Sequence, residues 1–358
     1  MTIDLFFVAG EMSGDLHGAS LISDLLKHKP DLKIGAVAGP RMRALPIVEF
    51  FPMEKLQVMG FLDVLVALPK IARQFFAIRN QILALNPKAV ICIDYPGFNL
   101  RLERSLRKKG YRGKLIHSIC PTVWAWGKKR IGHMERDLDL LLTLFPFEKR
   151  CFEGTKLDVQ YIGHPLVKAI PESGETKRDN VLALFPGSRQ KEIERNLPLQ
   201  IRVAQELVRQ DPSLQVVVSI GHPSVQVPPE FQKTYEAYPL MRRARMALAT
   251  SGTVALELAL HNTPTVVHFA IRPIDQFLAQ KVFRINLPFY ALPNIVAGER
   301  VFPELFGSQL TENTLLKEAL LLREDSAVFS RCKKLRKLLA INDKEPSIAE
   351  IIMRSVAF

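Results

Sequence analysis

A chain of 358 residues is long enough for two domains of roughly 100 to 200 residues each, or for one large α/β domain. Hydrophobic residues at 47% and charged residues at 24% exclude a disordered, collagen-like or polytopic membrane chain. The 49 Lys and Arg outnumber the 36 Asp and Glu by 13. That excess favours anionic partners, whether nucleic acid, phosphorylated metabolites or an acidic membrane surface, without choosing among them.

The N-terminus, MTIDLFFVAGEMSGD, lacks the basic start of a signal peptide and reads as a first strand. Further strands are expected at Ile34–Ala38, Ala89–Ile93, Leu115–Ile119, Leu140–Leu144 and Val159–Ile162, with helices at Leu16–Lys27, Ile71–Leu85 and Leu100–Lys109. This alternation predicts a doubly wound α/β domain with a parallel sheet. From Lys168 to Asn180 the chain turns polar, with Pro171 and Gly174, as expected of an exposed connection between domains. The alternation then restarts with strands at Val181–Phe185, Leu214–Ile220, Met246–Ala249 and Pro264–Phe269 and helices at Glu192–Arg209 and Thr253–His261. Thr311 to Phe358 reads as helical throughout, with a last short helix starting near Pro346. The longest apolar stretch outside the first strand, Leu56–Leu68, is interrupted by Gln57 and Asp63 and falls short of the roughly 20 residues that a membrane span needs.

Parallel α/β sheets bind ligands beyond the carboxyl ends of their strands, so two such domains place a site in the cleft between them. Four strand-to-helix turns qualify. Gly10, Ser13 and Gly14 offer a turn where a phosphate or sugar hydroxyl could dock on helix N–H groups, although Ser13 or Asp15 as a helix cap explains most of it. Glu11 is left over, facing the ligand side. Asp94, ahead of Tyr95-Pro96-Gly97, stands where a general base would, or else caps the next helix. In the second domain Gly187-Ser188-Arg189 and Ser251-Gly252-Thr253 both suit a phosphate, and Glu257 suits ribose hydroxyls. Two such turns in one domain point to a nucleotide diphosphate, and as structure alone they are N-caps.

Basic residues cluster at Arg101–Lys114, Lys128–Arg136 and Arg331–Lys337, either as solvated helix faces or as an anion-binding surface. The segment Val58–Arg79 sets Phe61, Phe75 and Phe76 beside Lys70, Arg73 and Arg79, so it is either core or an amphipathic helix for a lipid headgroup layer. Trp124 and Trp126 either pack as core or wall the ligand site. The cysteines Cys92, Cys120, Cys151 and Cys332 stand singly and the eight histidines form no HxH or HExxH, so a reducing compartment and no metal site are expected.

GEMSGDLHGASL (10–21), AGPRM (38–42), VMGFLDVL (58–65), IDYPGFN (93–99), VWAWGKKR (123–130), FPFE (145–148), IGHPL (162–166), FPGSRQKEIE (185–194), TSGTVALE (250–257) and LPNIVAG (292–298) resemble, in order, the signature segments of the lipid-A-disaccharide synthase family. The resemblance implies a GT-B glycosyltransferase with two doubly wound Rossmann-like domains facing across a cleft. Residues 1–167 would bind the acceptor and be joined by the C-terminal helix 341–358, 168–180 would link, and 181–340 would bind the UDP-sugar. The implied reaction joins UDP-2,3-diacylglucosamine to 2,3-diacylglucosamine 1-phosphate with inversion, releasing UDP, and needs no cofactor. Asp94 matches the family's base, with Glu11 next in line. Ser188, Arg189, Ser251, Gly252 and Thr253 would stabilise the diphosphate, Glu257 would accept from ribose, and Asn294 would be a polar residue at the donor site. Family members end in a helical tail that crosses domains or exchanges between subunits, so a homodimer through the C-terminal helices is implied. Met12 and His17 depart from the family's first glycine turn, which bears on acceptor-chain preference.

The acyl chains implied for both substrates call for a cytoplasmic protein held peripherally on the anionic surface of the inner membrane, with Phe61, Phe75 and Phe76 as contacts. One rival is a UDP-sugar 2-epimerase of similar build, which would not need the apolar, basic-flanked segment. The other is a non-enzymatic nucleic-acid-binding protein, for which no module motif is present, so no nucleic-acid partner is expected.

Overall fold

The computed structural model describes residues 2–56, 61–125, 127–172, 178–272, 287–341 and 346–357, with the backbone alone for 61–68. The chain divides into two units, Met1–Gly163 with Ile341–Phe358, and His164–Ala340.

In the first unit seven parallel strands lie in the order β3-β2-β1-β4-β5-β6-β7. They are β1 (Leu5–Ala9), β2 (Ile34–Ala38), β3 (Val48–Pro52), β4 (Ala89–Ile93), β5 (Lys114–Ser118), β6 (Leu140–Thr143) and β7 (Asp158–Tyr161). Every residue of β1, β2 and β4 is buried, because helices cover both faces of the sheet, and that is why these strands read as unbroken apolar runs. One face packs on α1 (Met12–His28) and the C-terminal helix Ile348–Val356, through Leu21, Ile22, Leu25, Ala349 and Ile352. The other packs on the helices that follow α2 (Pro40–Arg43), namely α3 (Phe61–Leu85), α4 (Pro96–Lys108) and α5 (Lys129–Asp137), through Ile78, Ile82, Leu102, Leu106 and Met134. Chain order reverses between β1 and β4, whose carboxyl ends lie side by side with Ala9 opposite Ile93. This is a topological switch point, the place where open α/β sheets bind ligands.

The second unit repeats the plan with β8 (Asp179–Phe185), β9 (Gln215–Ser219), β10 (Gln232–Thr234), β11 (Ala244–Thr250), β12 (Thr265–Phe269) and β13 (Glu304–Phe306), in the order β10-β9-β8-β11-β12-β13. Among the described residues its helices are α6 (Pro165–Ala169), α7 (Gln190–Gln210), α8 (Ala237–Arg243), α9 (Thr253–Leu260), α10 (Leu292–Ala297), α11 (Glu312–Arg323) and α12 (Val328–Leu339), after which Ile348–Val356 is α13. The switch point lies between β8 and β11, with Phe185 opposite Ala249.

Three differences from the sequence reading have physical reasons. Val48–Pro52, Gln232–Thr234 and Glu304–Phe306 are additional strands, unannounced because they are short edge strands that are not buried on both faces. The tail is three helices where two are expected, because it breaks after Arg323 as well as before the last helix, which is capped by Ser347 and Glu350 in reciprocal bonds. The polar segment 168–180 is anchored where it is described. Ile170 is buried and its carbonyl accepts from Arg336 at 2.8 Å, while residues 173–177 lie outside the described residues. The first unit closes on Gly163, φ +73°, where a β-carbon would stand 2.4 Å from Ile341 Cγ1, so only glycine lets the chain leave and re-enter at this point.

Candidate active site

At the first switch point Asp94 and Tyr95 both take left-handed backbone angles, φ +46° and +49°. Such conformations cost about 1–3 kcal/mol each for residues with side chains and persist only where the surroundings impose them. Here Asn99, fully buried, donates its amide to the carbonyls of Ile93 (3.2 Å) and Asp94 (2.8 Å), and the Asp94 N–H donates to Ser118 O at 2.8 Å. Asn99 therefore ties down the turn, Tyr95 is the N-cap residue of α4, and the Asp94 carboxylate is left to accept from the Tyr95 N–H. Burial raises the Asp94 pKa, against the opposing effects of that hydrogen bond and of the His117 imidazole.

Glu11, the N-cap residue of α1, makes no capping bond. Its pKa is raised by partial burial and then by the charge of Asp94, which puts the two carboxyls in one electrostatic neighbourhood. Gly10 serves a different end from the one its sequence suggests: the Tyr95 ring fills the space beside it, 2.3 Å from where a β-carbon would be. Ser13 is exposed, and a β-carbon at Gly14 would meet only ordinary contacts at 3.6 Å. Asp15 does not cap its own helix. Its buried carboxylate accepts from the N–H groups of Gly39 (3.0 Å), Arg41 (2.8 Å) and Met42 (3.1 Å), capping α2 instead.

Three polar residues here, Ser118, His117 and Glu103, carry no signal picked up from the sequence, whereas His17 is one of the two departures from the family's first glycine turn. His17 meets Ser118 Oγ at 3.0 Å, with burial lowering its pKa to about 4. His117 Nδ1 meets Glu103 Oε1 at 2.7 Å in a fully buried pair. The available signal was a histidine inside an apolar strand, which requires a partner when buried.

At the second switch point Gly187 has φ +113°, and a β-carbon there would lie 3.1 Å from Glu192 Oε2, so this turn keeps its backbone bare. Ser188 and Arg189 are exposed. Arg189 pairs with Glu192 at 2.9 Å, but at 82% side-chain exposure the pair is weak and the guanidinium can be re-aimed at an anion. Alongside, Ser251 N–H donates to His268 O (3.0 Å), Gly252 has φ +154° and Thr253 opens α9. Gln200, which the sequence did not flag, joins both turns to the sheet by donating to Phe185 O and Leu248 O at 3.2 Å and meeting His268 Nε2 at 3.0 Å. Glu257 accepts from Tyr238 Oη at 3.2 Å, and burial raises its pKa. Asn294 is wholly buried. Its amide is spent on Phe302 O, Glu304 and the N–H groups of Val301 and Phe302, all within 3.0 Å, so it holds a loop together.

The expected lipid-facing aromatics differ in burial, although the rings of Phe75 and Phe76 meet edge-on at 5.5 Å. Phe75 packs against the core with its ring edge-on to Phe98 at 5.4 Å, whereas Phe76 is 50% exposed beneath the Arg79 guanidinium at 4.9 Å. The side chain of Phe61 and residues 57–60 lie outside the described residues, as does Trp126, while Trp124 packs edge-on to Phe147 at 5.5 Å. Several clustered cations are structural: Arg107 donates to the carbonyls of Tyr111, Gly113 and Asp137 and pairs with Asp139, and Arg336 is buried. No helix among the described residues is long and apolar enough to cross a membrane.

Two parallel α/β units in tandem, each with a topological switch point, define the GT-B fold. Among solved structures the chain is similar to the glycotransferase of kitacinnamycin (TM-score 0.63, 14% identity, 99% of this chain and 100% of that one). It is also similar to the UDP-GlcNAc 2-epimerase of Methanocaldococcus jannaschii, solved in complex with UDP-GlcNAc and UDP (TM-score 0.55, 12% identity, 94% and 99%). At such identities the likeness concerns the fold alone.

The chain belongs to the lipid-A-disaccharide synthetase family, whose model matches residues 5–353. It is 39% identical over 331 residues to the lipid-A-disaccharide synthase of Chlamydia trachomatis serovar D, covering 85% of this chain and 54% of that protein. It is 36% identical over 349 residues to that of Azotobacter vinelandii, covering 91% and 90%. The chain thus spans about half the length of the chlamydial relatives it matches, at 54%.

Proposed function

We propose that the protein transfers a 2,3-diacylglucosamine unit from UDP to the 6-hydroxyl of 2,3-diacylglucosamine 1-phosphate, with inversion and without a cofactor. Asp94 takes the hydroxyl proton while O6 attacks C1. The bond from C1 to the diphosphate oxygen breaks, and UDP leaves with the electron pair. The bare N–H groups after Gly187 and Ser251, together with Arg189, stabilise the charge that develops on the diphosphate. Glu257 accepts from ribose hydroxyls. Glu11, whose carboxyl feels the charge of Asp94, is next in line for the role of base.

The observation that carries this reading is the double left-handed turn at Asp94 and Tyr95 at the first switch point, a conformation that a mere helix start does not need. Family membership favours transfer over the epimerase reading, which shares only the fold. Both substrates carry acyl chains, so we place the protein in the cytoplasm, peripheral to the anionic face of the inner membrane. A homodimer would arise if α13 were exchanged between copies, since its apolar face packs on α1. Incubation with UDP-diacylglucosamine and the diacylated sugar phosphate tests the function. Disaccharide and UDP in equal amounts are expected, and epimerised UDP-sugar without disaccharide would overturn it.

A further inference from the structure

The second unit carries a cavity of about 860 Å³ that the proposed transfer does not use. It lies among the amino ends of β8, β11 and β12, at Asn180, Arg245 and Pro264. The seven residues of β11, at about 3.3 Å each, put it roughly 20 Å from the Ser251 turn.

Its wall is unusually short of partners. His261 is 5% exposed, lines the cavity, and has neither ring nitrogen hydrogen-bonded; Asn262 Oδ1, in the same wall, is likewise buried without a partner. All three atoms are shielded by protein from the open cavity, so the ring senses the charge of the lining without touching an occupant. The surrounding charge indicates its sign. Burial, then Arg242, Arg178 and Arg336, lower the His261 pKa to about 4. Arg178 donates to the carbonyls of Met241, Arg242, Ala244 and His261, and Arg336 to those of Ile170 and Leu260, contacts that satisfy donors without neutralising charge. Arg242 and Arg245 also line the cavity. Against them stand Glu324 and Asp325, the latter paired with Arg331. Phe329 and Met246 supply an apolar wall.

We infer that this cavity binds a small organic phosphate, its phosphoryl oxygens on Arg242 and Arg245 and its apolar body against Phe329, with the His261 ring behind them as a reporter of occupancy.

The test follows the histidine ring signals of the whole protein by NMR with UDP saturating, so that the donor turns are occupied. The His261 signal is assigned by its loss in His261→Gln and, should that variant not fold, by its contact with the Tyr238 ring, 5.2 Å away. Phenyl phosphate is expected to displace this signal saturably and about tenfold more tightly than inorganic phosphate, while phenol leaves it unmoved. Arg242→Gln, at an exposed position, should weaken phenyl phosphate about tenfold or more, as for a lost charge-assisted bond. An unmoved signal would mean that the wall holds water alone. That result, unchanged affinity in Arg242→Gln, or equal binding of phenol would overturn the proposal.

Discussion

The ring of Tyr95 lies against the bare backbone of Gly10, with Cδ1 2.3 Å from where a β-carbon would stand. This contact locks the turn after β4 to the turn after β1, and its hydroxyl donates to Leu56 O at 3.2 Å. Gly10→Ala must push the ring away and with it the neighbouring Asp94. The expected folding cost is about 1–3 kcal/mol, the scale of overpacking. Disaccharide formation should fall more than the melting temperature alone explains, and UDP affinity should hold. Normal turnover in a destabilised variant would separate the turn from catalysis.

Asp94→Asn keeps the shape of the turn and removes the base, so turnover should drop by about two or more orders of magnitude while UDP binding is unchanged. Stability should move the other way. The folded-state pKa of Asp94 is raised, so its ionised form costs stability, a cost that grows as pH rises from the unfolded pKa through the folded one and is fully present above it. At neutral pH the Asn variant is therefore expected to melt higher than the parent. In the parent, kcat/KM should fall on the acid side through a pKa raised above the ordinary aspartate value. A variant with near-normal turnover would pass the role of base to Glu11.

Arg189→Ala and Glu257→Ala are each expected to weaken UDP binding by about 1.5–3 kcal/mol if the lost contacts are desolvated. Asn294→Ala should differ from both. With the buried Phe302 N–H and carbonyl losing their partner, it should lower the melting temperature first. Calorimetric titration with UDP beside thermal melts distinguishes the outcomes, and an Asn294→Ala protein of parental stability with lost UDP affinity would make Asn294 a ligand contact.

Phe76→Ser should weaken salt-sensitive binding to anionic vesicles and leave the fold intact, because Phe76 is half-exposed beside Arg79. Phe75→Ser should instead destabilise the first unit, since its ring packs on Phe98. Co-sedimentation at low and high salt decides between them: binding indifferent to Phe76→Ser would assign the lipid surface elsewhere.

The sequence by itself determined the fold class and most of the layout, because strands buried on both faces must be unbroken apolar runs and their helices must be amphipathic. Ala89–Ile93 and Val181–Phe185 are such runs, whereas Glu304–Phe306 carries no such signal. The turns at Asp94, Gly187 and Ser251 were also legible, since each follows a buried strand directly. Only the tertiary structure decided which neighbours those turns meet. Asp15 caps a helix begun 25 residues later, Tyr95 fills the space beside Gly10, Asn294 is consumed by its own loop, and of the touching rings of Phe75 and Phe76 only the first packs against the core. Sequence spacing fixes the face of an element on which a side chain begins. Whether a ring, a carbonyl or water stands opposite depends on chain segments tens of residues away, and these meet only when the sheet order is set.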